Sequence, residues 1–266
     1  MKLTTVHEYE HPKMDVLVVG DPHAHPDYDN KRFEWLGRFA ADQGIGAVIC
    51  LGDFADMASL SSYDRKKLSF EGRRYRRDVD AAIKAQETLD DAYNRAGGKS
   101  IAWYLCGGNH DEGRISTVIN DNSEFQGLIS IEDLKYKEFG WIYTPYKETL
   151  LINGVACSHF FGSGVMGRPI GGERPALSLL NKLHMSAIVG HNHLYDTAQR
   201  TRPDGKRVLG LSAGCYVHPD MMINPDGWSR NTAHLWWSGL IILRDVKDGE
   251  YEIEQFSYER LSRIYK

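Results

Sequence analysis

Cysteine is scarce in this 266-residue chain, and the four present, Cys50, Cys106, Cys157 and Cys215, are scattered and never form a C-x-x-C pair. That spacing suggests neither a thiolate zinc site nor a dithiol redox motif. Each cysteine stands in or beside an apolar stretch, where a reduced thiol behaves as a small hydrophobe. Long apolar runs are also missing, since none approaches the roughly 18–20 residues of a membrane span. The first eight residues, Met1-Lys2-Leu3-Thr4-Thr5-Val6-His7-Glu8, hold no apolar core of a secretory signal. Nor is there an excess of positive charge: 32 Lys and Arg face 36 Asp and Glu, a net of −4. This excludes a globally basic nucleic-acid coat and leaves room for a local basic patch. No repeat, low-complexity tract or clear linker interrupts the chain. The expectation is a soluble cytoplasmic protein without a membrane partner, folded as a single domain over residues 1–266.

What is present follows one layout. Asp15-Val16-Leu17-Val18-Val19 ends at Gly20-Asp21-Pro22-His23, and Ala47-Val48-Ile49-Cys50-Leu51 ends at Gly52-Asp53. Ile101-Ala102-Trp103-Tyr104-Leu105-Cys106 ends at Gly107-Gly108-Asn109-His110-Asp111. Val155-Ala156-Cys157 ends at Ser158-His159, and Ala187-Ile188-Val189 ends at Gly190-His191-Asn192-His193. Short apolar runs closed by turn residues read as strands buried on both faces. Five times such a run stops, and His, Asp or Asn follows at once. The economical explanation is a layered α/β fold whose strand ends converge on one site.

Helical spacing fills some gaps. Phe33, Leu36, Phe39 and Ala40 predict a helix over 33–41, stopping near Gly44. Tyr75, Val79, Ile83, Gln86, Leu89 and Tyr93 predict a longer one with Gly97-Gly98 as its stop. A short helix is expected over 177–183, after Pro175. Near the end, the stretches 235–243 and 251–256 flank the turn Lys247-Asp248-Gly249-Glu250 and predict a β-hairpin. Residues 57–98 read as a basic and helical insertion.

In order, the strand-end residues are Asp21, His23, Asp53, Asn109, His110, His159, His191 and His193. Asp and His with one Asn, and no thiolate, suit divalent first-row ions doing hydrolysis. Residues at i and i+2 leaving a strand can point the same way, so Asp21/His23 and His191/His193 each offer a local pair.

The blocks Asp21-x-His23, Gly52-Asp53, Gly108-Asn109-His110-Asp111, His159 and Gly190-His191-x-His193 together resemble the calcineurin-like metallophosphoesterase superfamily. The resemblance spans residues 21–193, with all five blocks in the family's order. It implies an α/β fold, a four-layer α/β/β/α β-sandwich flanked by helices with mixed sheets, to which the C-terminal hairpin would add. It also implies a two-metal site. Asp21, His23 and His193 would hold one ion, Asn109, His159 and His191 the other, and Asp53 would bridge them with its two oxygens. Mn²⁺ leads the choice of metal, with Fe, Zn²⁺ and Ni²⁺ as alternatives. Two such ions can share a hydroxide and clamp the attacked phosphate during in-line displacement. His110 would be proton donor or charge stabiliser at the leaving group, with Asp111 orienting its ring.

Departures from the family's branches bear on substrate. In the protein Ser/Thr phosphatases the Gly-Asp motif runs on to an Asp-Arg pair whose Arg grips phosphate. Here Asp56 is followed by Met57. Purple acid phosphatases carry a metal-binding Tyr shortly after the shared Asp, and Phe54-Ala55 has no phenol. The expectation is therefore phosphodiester or nucleotide-type substrates, with a nucleotide or phosphoprotein phosphomonoesterase as the alternative. A DNA-repair-type nuclease is a third reading, although little chain remains after His193 for that group's additional segments.

Residues 63–77 hold seven basic side chains (Arg65, Lys66, Lys67, Arg73, Arg74, Arg76, Arg77) against Asp64 and Glu71, and 78–94 reverse the sign. One reading is a basic edge that receives a nucleotide or nucleic acid, with Tyr63, Phe70 and Tyr75 available for stacking. The other is a solvated helix start balanced by its own acidic continuation. Segments 61–64 and 70–75 are similar to phage-encoded members, which would place the enzyme in a host cytoplasm. The glycine-rich stretch 160–174 is a candidate lid, whose Arg168 and Arg174 would bind phosphate oxygens, or a plain surface loop. His25 is a candidate substrate contact. Asp21-x-His23-x-His25 also resembles the metal pair opening an amidohydrolase barrel, but that reading leaves the later blocks unexplained. The oligomeric state is left open.

Overall fold

A computed structural model describes residues 3–223 and 232–266. In chain order the strands are β1 (Val6–Tyr9), β2 (Met14–Val19), β3 (Ala47–Cys50), β4 (Ala102–Cys106), β5 (Trp141–Thr144), β6 (Thr149–Ile152), β7 (Val155–Ser158), β8 (Gly162–Ser163), β9 (Arg168–Pro169), β10 (Ala187–Val189), β11 (Tyr195–Thr201), β12 (Arg207–Ala213), β13 (Gly239–Lys247) and β14 (Glu250–Ser257). The helices are α1 (Arg32–Asp42), α2 (Tyr75–Arg95), α3 (Arg114–Asp121), α4 (Pro175–Leu183), α5 (Pro219–Ile223) and α6 (Tyr258–Tyr265).

Two six-stranded mixed sheets carry the fold. One runs β14-β13-β2-β3-β4-β5, parallel from β2 to β5, with β13 antiparallel to both β2 and β14. The other runs β1-β6-β7-β10-β12-β11, in which β10 lies parallel to both β7 and β12. The β2 sequence shows how the layers form. Val16 and Val18 face the second sheet and meet Leu150, Ile152, Cys157, Ile188 and Leu211. Leu17 and Val19 face the other way, against Phe33, Leu36 and Phe39 of α1 and the α2 residues Val79, Ala82 and Leu89. A strand of period two buried on both faces needs apolar residues at every position, which is why it reads as a continuous run. On the far side, Ala156, Ala187 and Val189 pack on Leu179 of α4. The order helix, sheet, sheet, helix is the expected four-layer arrangement.

The expected helices appear one to two residues longer at most ends. Gly97, with φ of 77°, ends the turn after α2, and Gly98 N–H donates to the Tyr93 carbonyl. The hairpin starts later than the sequence suggests, at Gly239. Residues 235–238 are not strand because Trp237 is tied across the chain: its N–H donates to the His193 carbonyl and its own carbonyl accepts from Cys215 N–H. No helix among the described residues is long and apolar enough to cross a membrane.

Candidate metal centre

The strand ends deliver their side chains through strained turns. After β2 come Asp21 and His23, after β3 Asp53, and after β10 His191 and His193. All five have left-handed backbone, with φ of 34°, 44°, 48°, 63° and 56°. A non-glycine residue there costs of order 1–3 kcal/mol, so strain is concentrated at five of the seven expected ligands. Glycine makes the approach of the strand ends feasible. A Cβ on Gly108 would lie 2.1 Å from Asp53 Oδ1 and 2.2 Å from its backbone nitrogen, so only hydrogen lets the two loops touch.

The donor atoms fall into two groups around one oxygen. His23 Nε2 lies 3.3 Å from His193 Nε2, which lies 3.6 Å from Asp21 Oδ2. On the other side Asn109 Oδ1 is 2.7 Å from His159 Nε2 and 2.8 Å from His191 Nδ1, and those two nitrogens are 3.1 Å apart. Asp53 Oδ2 is 3.8 Å from His23 Nε2 and 3.4 Å from His159 Nε2. A single oxygen therefore faces both groups, where two had been expected, because the His110 backbone N–H binds Asp53 Oδ1 at 2.8 Å. Asp21 also touches the second group, with Oδ1 3.2 Å from His159 Nδ1. Two compact donor sets, each within 4.8 Å, share Asp53: with His23 and His110, and with Asp21 and His159.

The chemistry of this set fits divalent cations. Asp21 and Asp53 are buried, and among the described residues their ion-pair partners are histidines alone. Buried carboxylates without a fixed cation call for one. Burial opposes ionisation of Asp53, but His159, His110 and His23 outweigh it and hold the carboxyl well below the usual range. Burial also opposes a charge on His159, yet Asp53 and Asp21 raise it to about 9. Burial and the neighbouring histidines push His191 down to about 4, and His193 is driven well below its ordinary value. Neutral imidazole is the form that binds metal. His191 and His193 are already in it, whereas a cation would have to displace the proton that Asp53 and Asp21 hold on His159. The far nitrogens of two rings are anchored, His159 Nδ1 on the Leu51 carbonyl at 3.0 Å and His23 Nδ1 on Asp56 Oδ1 at 2.9 Å, which aims each Nε2 inward.

His110 stands at the edge, its Nε2 4.0 Å from Asp53 Oδ2. Its orienting partner is not Asp111. Asp111 takes the N–H groups of Gly108, Glu112 and Phe54 and the Tyr136 hydroxyl, and so braces the loop from beneath. Burial, reinforced by Asp53, pushes its carboxyl up to about 7. The π-helical turn Asn109–Gly113 sends the two side chains apart, and His110 Nδ1 meets Asp56 Oδ1 at 2.8 Å. Asp56 escaped the sequence reading, although a second carboxylate three positions beyond Asp53 was its signal. Arg114 was missed as well, and its spacing of four from His110 was the available hint. Met57 is buried in the core, and the guanidinium beside His110 is that of Arg114.

A cleft of about 910 Å³ opens over Asp53, Asn109, His110, His191 and His193, walled by Tyr63, Arg65, Arg114, Tyr146, Lys147 and Trp236. The residues expected to touch substrate do not line it. Arg73 is paired with Asp64 at 3.0 Å and bonded to the Ala58 carbonyl, because it closes its own loop. Arg74 bonds the Arg73 carbonyl beside the start of α2. Arg76 and Arg77 pair with Asp80 and Asp27. Local acids thus absorb much of the basic run, and of its seven cations only Arg65 reaches the cleft. Arg168 is exposed on the β8–β9 hairpin. His25 is buried, with Nδ1 accepting from Asp27 N–H and Nε2 3.7 Å from Asp56 Oδ2.

A model of the calcineurin-like phosphoesterase family matches residues 14–209. No curated protein matches the sequence. One solved structure shares 12% identity over 91% of this chain and 99% of its own, with a TM-score of 0.38, which supports no inference about function.

Proposed function

The chain belongs to the calcineurin-like phosphoesterase family, and on that premise we propose that it hydrolyses phosphodiester or nucleotide-type substrates with two divalent ions, Mn²⁺ foremost. Asp21, His23 and His193 would hold one ion and Asn109, His159 and His191 the other. Asp53 Oδ2 carries this assignment, since among the described residues it is the carboxylate oxygen that faces His23 Nε2 and His159 Nε2 together. When bound, the metals supply Lewis acidity and an activated water for in-line attack. The chain supplies orientation and the proton. With Nδ1 of His110 held by Asp56, Nε2 is the atom presented to the leaving oxygen, and general-acid help of this kind contributes about 10²–10⁴-fold.

The cleft supports a substrate larger than a phosphate, being as large as the pockets that enclose whole organic ligands. Tyr63, exposed in the cleft wall, offers a ring for a planar base, and Arg65 and Lys147 offer charge to further phosphates. Four buried free thiols support a reducing, cytoplasmic setting. The test is a paired assay of Mn²⁺-loaded protein on an aryl phosphodiester and an aryl phosphomonoester, followed by a nucleotide series. Faster diester cleavage is expected. Faster monoester cleavage would replace this reading with a phosphomonoesterase.

A further inference from the structure

Arg114 opens α3 four residues after His110, so the helical repeat stacks the two side chains on one face. Its guanidinium is fixed from one side only. Nη1 donates to the Asp56 carbonyl at 2.6 Å and the Met57 carbonyl at 3.2 Å, while Nη2 stays on the cleft side, 3.4 Å from His110 Nε2. Every one of these partners is an uncharged carbonyl or an imidazole. Other anchored arginines differ: Arg73 has Asp64, Arg244 has Asp15 and Glu254, and Arg207 has Glu250 and Glu252. Arg32 is also held without a carboxylate, but it is buried, and its Nε, Nη1 and Nη2 all donate within the fold. Arg114 is half-buried and lines the cleft. The Asp56 carboxylate acts on it through its field, but among the described residues no carboxylate pairs with its guanidinium, whose contacts are the two carbonyls and His110.

We infer that Arg114 binds the substrate's anion, with Nη2 donating to a non-bridging oxygen of the phosphate being cleaved. The inference rests on the phosphoester reading for its substrate. His110 Nε2 lies 3.4 Å from Arg114 Nη2 and 4.0 Å from Asp53 Oδ2. A phosphate seated over the donor groups would therefore reach the imidazole and the guanidinium in contact with it, both in the wall of one cleft. A charged oxygen accepts from a guanidinium about twice as strongly as a neutral group does. Nη2 accordingly moves from His110 to the phosphate, and Nε2, no longer its acceptor, can carry the proton that passes to the leaving oxygen. The two carbonyls keep the guanidinium in place during that exchange, so little side-chain freedom is lost on binding.

Calorimetric titration of inorganic phosphate into Mn²⁺-loaded wild type, R114Q and R114K tests this, with metal content and Tm recorded for each. R114Q should bind phosphate roughly 10- to 100-fold more weakly, the loss of one charged hydrogen bond. Its metal content should equal that of the wild type, and R114K should recover part of the affinity. Phosphate affinity per loaded protein that is unchanged in R114Q and R114K, with Tm and metal content lowered, would make Arg114 a clamp on residues 56–57 and overturn the proposal. Should R114Q fail to fold, R114K decides, because a retained charge with one displaced donor must still weaken phosphate measurably. Wild type that binds phosphate but cleaves no ester would sink the hydrolytic reading and leave the anion site standing. Wild type that binds no phosphate would overturn both.

Discussion

Asp56 Oδ1 lies 2.8 Å from His110 Nδ1, and the same oxygen lies 2.9 Å from His23 Nδ1. One carboxylate thus orients both a candidate metal ligand and the candidate proton donor. Burial opposes its charge, but the bond to His110 prevails and holds the Asp56 carboxyl well below the usual range. Asp56 accepts from Nδ1 of both rings, which turns Nε2 toward the cleft, to face a cation in His23 and to carry the donated proton in His110.

Asp56→Asn should disturb both rings together. Loss of the charge and a carboxamide that can donate instead of accept are expected to lower kcat about 10- to 100-fold and to weaken metal binding by a similar factor. Turnover and metal titration of the same preparation check this. A loss of turnover with intact metal affinity would confine Asp56 to His110.

His110→Asn removes the donor and leaves every expected ligand in place. Turnover should fall by about 10²–10⁴-fold, with metal content unchanged by elemental analysis. The slowing should be greatest for esters with poor leaving groups, which need the proton most. Equal slowing across a leaving-group series would point to ground-state binding instead.

Asp53→Asn should release both ions together, because the charge that faces both donor groups is lost while Gly108 still packs against the same backbone. Metal titration is expected to show two weakened sites. Retention of one site at wild-type affinity would mean that Asp53 serves a single ion.

Asp78 gives a pH signature away from the metals. Burial, with the charge of Asp56 adding, raises its carboxyl above the usual 3.8, despite the bond from Ser59 N–H. The unfolded chain loses this proton near 3.8, while the folded chain keeps it to higher pH. Between those values the folded state binds more protons, so this group's contribution to stability falls as pH rises. Asp78→Asn lacks that dependence. Urea unfolding from pH 4 to 7 should show wild type losing ground to the variant as pH rises, and a gain instead would reverse the assigned direction.

Much of the centre was legible because it is local. Val16 to Val19 and Ala187 to Val189 sit in strands buried on both faces, which forces continuous apolar runs, and the next residues must turn where the strands end. Strands with a polar face, such as β11 with Tyr195-Asp196-Thr197-Ala198-Gln199, gave no comparable signal and went unread. Charge misled for a related reason. The basic run over 63–77 is conspicuous in sequence, yet Asp64, Asp80 and Asp27 absorb much of it, and the cation beside His110 is the isolated Arg114.

The sequence by itself determined the donor types, their placement at strand ends and the family. Those depend on residue chemistry and on periodicities that act over a few positions. Only the tertiary structure decided which carboxylate meets which ring. Asp111 adjoins His110 but is turned beneath the loop, whereas Asp56, 54 positions away, reaches its Nδ1. Parallel strands β3 and β4 bring their C-terminal loops side by side. Contact there depends on how the turns leave the sheet, which sequence separation does not encode.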